Sequence, residues 1–212
     1  MDIIEYIKSF PMITFSKGEV LLSAEEETDR LLVVREGMVK VSSIDEVGNE
    51  RLLWIAGRYD VVPTERLFSP TTSTQYFYTA YCDGNAYTVD KKDFLEKATK
   101  DANIMYQIAR GLSEHHDDLL SRLNSLEQPN LRAKILFMLD AICTKFSGAG
   151  VVHLHEIGLN LTHQDIADMV DASRESTSIE LKKLHDERFV KYSRSSFTVF
   201  AKRIADEIRT PA

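Results

Sequence analysis

Residues 161–200 read LTHQDIADMVDASRESTSIELKKLHDERFVKYSRSSFTVF. Thr162, with Asp165 three positions later, is typical of a capped helix start. Asp171 tolerates the left-handed backbone of a tight turn, and Ser173 can cap a second helix. Since two short helices joined by a turn of a few residues form a helix-turn-helix, the pattern predicts that motif here.

Alternating apolar residues follow the second predicted helix. Val190 and Tyr192 on one side, and Phe197 and Val199 on the other, flank a polar Ser-Arg-Ser-Ser turn. Such alternation around a polar turn is typical of a β-hairpin. The sequence therefore predicts a winged helix-turn-helix.

The second predicted helix carries side chains that suit duplex DNA. An α-helix fits the major groove, and its first residues reach the base edges. Arg174 can donate two hydrogen bonds to a guanine, Glu175 can accept one from a cytosine amino group, and lysines suit phosphates. A winged helix used only for protein contacts is the alternative. The predicted DNA-binding residues are Thr162, Ser173, Arg174, Glu175, Ser176, Ser178, Ile179, Lys182, Lys183 and Arg194.

The charge distribution sets this region apart. The 212 residues include 26 basic and 33 acidic side chains, which gives a net charge of −7. The range 173–203 nevertheless holds eight basic and four acidic residues. A local basic surface favours a polyanionic partner, although a solvated helix face has the same composition.

Short apolar runs separated by turn residues fill residues 13–90. Leu31–Val34 and Met38–Val41 are two of these runs, and Gly37 and Gly48 mark turns between runs. Many short strands at regular spacing indicate a β-sandwich or barrel.

Residues 101–126 predict one long helix with an apolar stripe at steps of three and four. At ~1.5 Å per residue the helix spans about 39 Å, which is longer than a helix needs to be to cap one small β domain. Pro129 follows the end of the helix and stops it there. We expect part of the stripe to meet a second copy of the chain; a helix packed only on its own chain is the alternative. The residues expected at this contact are Ile104, Ile108, Leu112, His115, Leu119 and Leu126.

These features resemble the Crp/Fnr family of bacterial regulators. Ala172-Ser173-Arg174-Glu175, followed by Leu181-Lys182-Lys183-Leu184, is similar to the recognition-helix signature of the family. The glycine pattern Lys17-Gly18-Glu19, Glu36-Gly37-Met38-Val39 and Gly57 resembles its cyclic-nucleotide-binding jelly roll.

The resemblance implies an α+β chain with three parts. These are a β jelly-roll sensor domain (a double-stranded β-helix) over residues 1–100, a long dimerisation helix over 101–128, and a winged helix-turn-helix over 129–212. It further implies a cytoplasmic homodimer that reads an inverted-repeat operator in double-stranded DNA and contacts RNA polymerase.

The sensor part departs from the cyclic-AMP-binding members. Those members carry a Gly-Glu pair and, ten residues later, an Arg-Ser or Arg-Thr pair that holds the phosphate. These places fall on Pro63–Thr64 and Thr74–Gln75, and Arg66 comes too early to substitute under this alignment. The Thr-Ser pair that meets adenine falls on Leu119–Leu120. We therefore expect no cyclic-nucleotide binding, because the cyclic phosphate loses its ion pair.

The same region favours a different small effector. Apolar and aromatic side chains surround the expected pocket position, which suits an apolar or aromatic molecule. A filled core with no effector is the alternative, and the sequence does not separate the two. The predicted pocket residues are Thr64, Phe68, Thr74, Gln75, Tyr76, Phe77, Leu119 and Leu120.

The recognition helix departs from the family at one position. The family often reads Glu-x-x-Ser-Arg, whereas here Glu175 is followed by Ser178 and Ile179. Loss of a bidentate guanine contact costs ~1–3 kcal/mol of discrimination. We therefore expect a different operator, with a thymine methyl facing Ile179. The isoleucine and the acidic overall charge also fit a rival function, a ligand-binding or protein-interaction module that no longer reads DNA.

Other classes of protein find little support. Cys82 and Cys143 cannot form a four-cysteine zinc or iron–sulfur site. The chain carries no apolar run of membrane-span length and no secretory signal. It lacks a nucleophile elbow, a P-loop and a dinucleotide fingerprint, so we expect neither an enzyme nor a cofactor.

Overall fold

The computed structural model describes residues 3–147, 155–157, 161–193 and 197–209. The chain forms two compact units, Met1–His115 and His116–Ala212. The boundary falls within the single long helix that the sequence predicts.

The first unit is a two-sheet β domain. It begins with helix α1 (Ile3–Ile7), and its eight strands form two four-stranded antiparallel sheets, in the orders β1-β8-β3-β6 and β2-β7-β4-β5. This architecture confirms the predicted β fold. The strands are β1 (Met12–Phe15), β2 (Val20–Leu22), β3 (Arg30–Glu36), β4 (Val39–Ile44), β5 (Glu50–Ala56), β6 (Val61–Val62), β7 (Phe77–Ala80) and β8 (Gly84–Asp90).

Strand β3 explains why its sequence is a continuous apolar run. Successive side chains of a strand point to opposite faces of the sheet. Leu32 and Val34 pack in one hydrophobic cluster together with residues of the other sheet, whereas Leu31 and Val33 pack in a second cluster with helical residues. Both faces of the strand are therefore buried.

The predicted turn at Gly37 requires glycine. Its φ is +84°, and an added Cβ would lie 2.7 Å from the carbonyl oxygen of Asp83. Any other residue would meet both a strained backbone and a steric clash.

Two helices complete the second cluster of the β domain. Helix α2 (Lys91–Ala98) follows β8, and the Asp90 carboxylate caps it by accepting from the backbone amides of Lys92 and Asp93. Helix α3 (Ala102–Leu126) then runs from the first unit into the second.

The apolar stripe of α3 divides into a proximal part that packs on the β domain and a distal part. Ile104 and Ile108 are buried in the core of their own β domain, and Leu112 packs against the same cluster. The His115 ring lies 4.3 Å from the Trp54 ring of β5. Ile104 and Ile108 are therefore part of the core of their own unit, whereas Leu112 and His115 are only half-buried, and their contact with a second copy stays a prediction.

The distal part of the stripe is different. Leu119, Leu120 and Leu123 are each 42–55% exposed, and Leu126 is half-buried.

The second unit is a small helical domain with a three-stranded antiparallel sheet in the order β10-β11-β9. Strand β9 adds to the predicted two-stranded hairpin. The further elements are α4 (Leu131–Ser147), β9 (His155–Ile157), α5 (His163–Val170), α6 (Arg174–Asp186), β10 (Val190–Tyr192), β11 (Phe197–Val199) and α7 (Ala201–Arg209).

Candidate nucleic-acid interface

Reciprocal hydrogen bonds define the start of α5. The Thr162 hydroxyl accepts from the Asp165 backbone amide at 3.1 Å, and the Asp165 carboxylate accepts from the Thr162 amide at 2.9 Å. Asp171 ends the helix with a φ of +53°. The predicted capping box and left-handed turn are both confirmed.

Helix α6 follows the turn directly. The Ser173 hydroxyl accepts from the Ser176 amide at 3.1 Å, which satisfies one of the free amides at the helix start. Thr177, Leu181 and Leu184 are buried and fix the inner face of the helix.

The opposite face of α6 carries most of the predicted DNA-binding residues. The exposed members of this outer face are Arg174, Glu175, Ser176, Ile179, Lys182 and Lys183. Within the described part of the chain, Arg174 and Lys182 form no ion pair. Lys183 instead donates to Glu180 at 2.9 Å. Thr162 and Ser173 are exposed caps, and Arg194 lies outside the described residues.

Arg132 of α4 holds three carboxylates. Its guanidinium lies 2.6 Å from Glu187, 3.5 Å from Glu180 and 3.7 Å from Glu207. Hydrogen bonding of the Arg132 guanidinium to the Glu187 carboxylate is the main reason that the pKa of Arg132 is raised. Glu180 and Glu187 are two of the four acids in the basic segment, so Arg132 forms ion pairs with half of these acids.

Two aromatic contacts support the same region. The Arg132 guanidinium lies 5.2 Å from the Phe189 ring centre, and the Arg203 guanidinium lies 4.9 Å from that same ring. Arg203 therefore contributes to packing, although its charge was counted as part of the predicted basic surface.

Sequence reasoning missed a cluster of two histidines and a tyrosine. The Tyr192 ring lies 4.9 Å from His163 and 5.0 Å from His185. His163 Nδ1 is 3.0 Å from the Ser178 hydroxyl. Ser178, which the sequence predicts as a DNA contact, therefore already has a hydrogen-bond partner, and its side chain is half-buried. Burial, followed by the charge of Arg174, lowers the pKa of His163. No local pattern could reveal the cluster, because its members come from α5, α6 and the wing.

The predicted effector pocket is only partly assembled. Phe68 and Gln75 are exposed, and Tyr76 and Phe77 are half-buried. Thr74 is buried, and its hydroxyl donates to Glu65 at 2.7 Å. Leu119 and Leu120 are exposed on the part of α3 that belongs to the second unit.

A cavity of about 400 Å³ instead lies beside α1 and the first half of α3. Thr64 is the one predicted pocket residue that lines this cavity, and an effector site formed by the other predicted residues stays a prediction. Other lining residues include Ile3, Ile4, Leu67, Ile108, Leu112 and His115.

Among the helices that the structure describes, none combines the length and apolar character that a membrane span requires. The described residues also include no group of three or more histidine, cysteine or carboxylate side chains placed to hold a metal ion.

Comparison with known proteins identifies both units. Residues 12–101 match the model of the cyclic nucleotide-binding domain, and residues 133–201 match that of the Crp-like helix-turn-helix domain. The chain is 23% identical over 194 residues to the global nitrogen regulator of Synechococcus elongatus, which covers 88% of this chain and 84% of that protein. It is 26% identical over 174 residues to the CRP-like cAMP-activated global transcriptional regulator of Mycobacterium tuberculosis, which covers 81% and 75%.

The solved structure of FixK2 from Bradyrhizobium japonicum shares the fold, with a TM-score of 0.77 and 15% sequence identity over 96% of this chain and 99% of that one. A cyclic-nucleotide-binding-type β domain, a long helix and a winged helix-turn-helix together define a class of helix-turn-helix transcription regulators. The protein belongs to the Crp/Fnr family and is a DNA-binding transcription regulator of that family.

Proposed function

We propose that the protein is a cytoplasmic homodimer that reads an inverted-repeat operator and responds to a small effector other than a cyclic nucleotide. The outer face of α6 is the observation that carries the proposal. Thr177, Leu181 and Leu184 anchor the helix from inside, so that Arg174 and Ile179 are presented outward.

Each outward side chain has a base that it fits. Arg174 pairs with guanine in a bidentate manner, and Glu175 accepts from the cytosine amino group. Ile179 is 61% exposed and offers only methyl and methylene groups, which complement the methyl group of thymine. Lys182, without an ion-pair partner in the described residues, suits a phosphate.

The distal half of α3 supports the dimer. Leu119, Leu120 and Leu123 form an exposed apolar stretch that a second copy would cover. Two recognition helices placed one turn of DNA apart, ~34 Å, read two half-sites of an inverted repeat. Contact with RNA polymerase is proposed from family membership alone.

The effector proposal rests on the β domain. The mycobacterial relative is named for activation by cAMP. In this chain, by contrast, Thr74 takes the place of the arginine that would pair with a cyclic phosphate, and its hydroxyl donates to Glu65.

Selection from a random duplex DNA library at near-physiological salt tests the proposal. We expect enrichment of an inverted repeat with a guanine that Arg174→Ala no longer selects and a thymine that Ile179→Ala no longer selects. Lys134→Ala, on α4, is the matched control and should retain the full motif. Since an unliganded regulator can be inactive, the selection is repeated with a small-molecule extract. Failure of the folded protein to enrich any motif in both conditions would favour the rival interaction module, to which the exposed Ile179 and the acidic charge point.

A further inference from the structure

Arg66 is one of the largest fully buried side chains among the described residues. It ends a 3-10 turn, Thr64–Arg66, that follows β6. The residue is 1% exposed, and Nε, Nη1 and Nη2 of its guanidinium find no hydrogen-bond partner in the described part of the chain.

The neighbouring carboxylate does not compensate this charge. Glu65 accepts hydrogen bonds from the Thr74 hydroxyl at 2.7 Å and from the Tyr78 hydroxyl at 2.8 Å. Burial, and then the charge of Glu65, raise the pKa of Tyr78, so that its phenol stays protonated and continues to donate. Glu65 is therefore committed to two hydroxyl groups, and no ion pair joins it to Arg66.

A second cation lies close to the same turn. The Ser69 amide donates to the Arg66 carbonyl at 3.3 Å, and the Lys91 ammonium donates to the Ser69 carbonyl. Lys91 forms no ion pair with a described carboxylate. The segment Arg66–Ser69 therefore carries the Arg66 guanidinium and holds the Lys91 ammonium, and neither cation forms an ion pair within the described residues.

Such a guanidinium requires a partner. Arginine does not lose its proton in proteins and carries five N–H donors, and buried charges are normally paired. An unsatisfied buried group of this kind indicates an ion or ligand that completes it. The planar fork of the guanidinium matches the two oxygens of a carboxylate or of a phosphate.

We propose that Arg66 is the anchor of a binding site for a small molecule with an oxyanion group, either a carboxylate or a phosphate, on an apolar body. The nitrogens are out of contact with solvent, so binding opens the turn. A single 3-10 turn has few and poorly aligned hydrogen bonds to break. The apolar body has a place in the neighbouring cavity of about 400 Å³, which Thr64 and Leu67, on either side of Arg66, help to line.

The position of the turn connects this site to α3. Leu67 packs in the same core cluster as Ile104 and Ile108 of α3. Movement of the turn therefore changes the packing that supports this helix. This regulatory consequence rests on the proposed function, whereas binding of the anion does not.

Thermal unfolding of the full-length protein tests the site. Sodium phosphate and sodium benzoate are compared with sodium chloride at equal ionic strength, one arm for each oxyanion. We expect the melting temperature of the wild type to rise with the logarithm of the concentration of at least one of the two anions. Arg66→Met should lose this rise and should melt higher than the wild type in chloride, since an apolar side chain of similar length replaces an unpaired buried charge.

Two further variants provide a control and a second test of the anion site. Arg30→Met changes an exposed arginine of the same unit and should keep the response. Arg66→Gln provides a second test should the methionine variant not fold. The site is refuted when neither anion stabilises the wild type, or when the Arg66 variants respond as the wild type does.

Measurement of the affinity for operator DNA distinguishes anion binding at Arg66 from its proposed effect on DNA binding. An anion that changes DNA affinity in the wild type but not in Arg66→Met supports the coupling, and one that stabilises the protein without changing DNA affinity overturns it. Absence of DNA binding under all conditions would refute the proposed function, while the melting curves would still decide the anion site.

Discussion

Replacement of Arg132 by methionine removes the charge that holds three carboxylates of the second unit. The methionine stem retains much of the contact with the Phe189 ring. The lost interactions are the 2.6 and 3.2 Å hydrogen bonds to Glu187 and the ion pairs to Glu180 and Glu207. We therefore expect Arg132→Met to destabilise the second unit.

The size of the effect follows from the exposure of each carboxylate. The Glu187 and Glu207 side chains are 47% and 49% exposed, so their pairs behave as surface ion pairs worth ~0.2–1 kcal/mol each. Glu180 is 13% exposed but keeps Lys183 at 2.9 Å, so the loss of its pair with Arg132 contributes about 0.5–1 kcal/mol. Together these changes lower the free energy of unfolding by about 1–3 kcal/mol.

Urea denaturation of the wild type, Arg132→Met, Glu187→Gln and the double variant measures the effect and its coupling energy. Lys134→Met, on the same helix, is the matched control and should change stability by less than ~0.5 kcal/mol. An Arg132→Met variant that unfolds at the wild-type midpoint, or a cycle without coupling between Arg132 and Glu187, would refute the argument.

Two other predictions follow from buried polar groups of the same unit. The Thr177 hydroxyl is buried without a hydrogen-bond partner in the described residues. The isosteric Thr177→Val should therefore raise the free energy of unfolding by ~1 kcal/mol in urea denaturation and leave the DNA motif unchanged. A loss of stability would show that the hydroxyl has a partner after all. His163 has a lowered pKa in the folded protein, so its contribution to stability is present above the ordinary histidine pKa of ~6.5 and is lost as the pH falls toward the folded value. NMR titration of the ring should show the low pKa and its rise in Arg174→Ala, and an unchanged pKa in that variant would exclude the effect of Arg174.

Local sequence patterns were sufficient where the physics is local. Thr162, Asp171 and Ser173 could be assigned to their roles because caps and left-handed turns depend on side chains a few residues apart. Likewise, the burial of Thr177, Leu181 and Leu184 follows from helical periodicity. The strands of the first unit could be placed because their apolar runs alternate with turn residues such as Gly37.

Other features depended on contacts between distant segments. The stripe of α3 has one continuous pattern, yet Ile108 packs on its own β domain and Leu120 is exposed. Periodicity shows which side chains share a helix face, but the surface that covers this face depends on the fold.

Charge and polarity show most clearly the difference between what the sequence predicts and what only the tertiary structure determines. The order of residues in the sequence predicted a basic segment and a DNA-reading helix, because base recognition needs particular side chains in the first turns of that helix. Only the tertiary structure showed that Arg132 pairs with two acids of the segment, that His163 engages Ser178, and that Arg66 lies buried without a partner. Electrostatic environment is a sum over neighbours in space, and those neighbours come from elements that lie far apart along the chain.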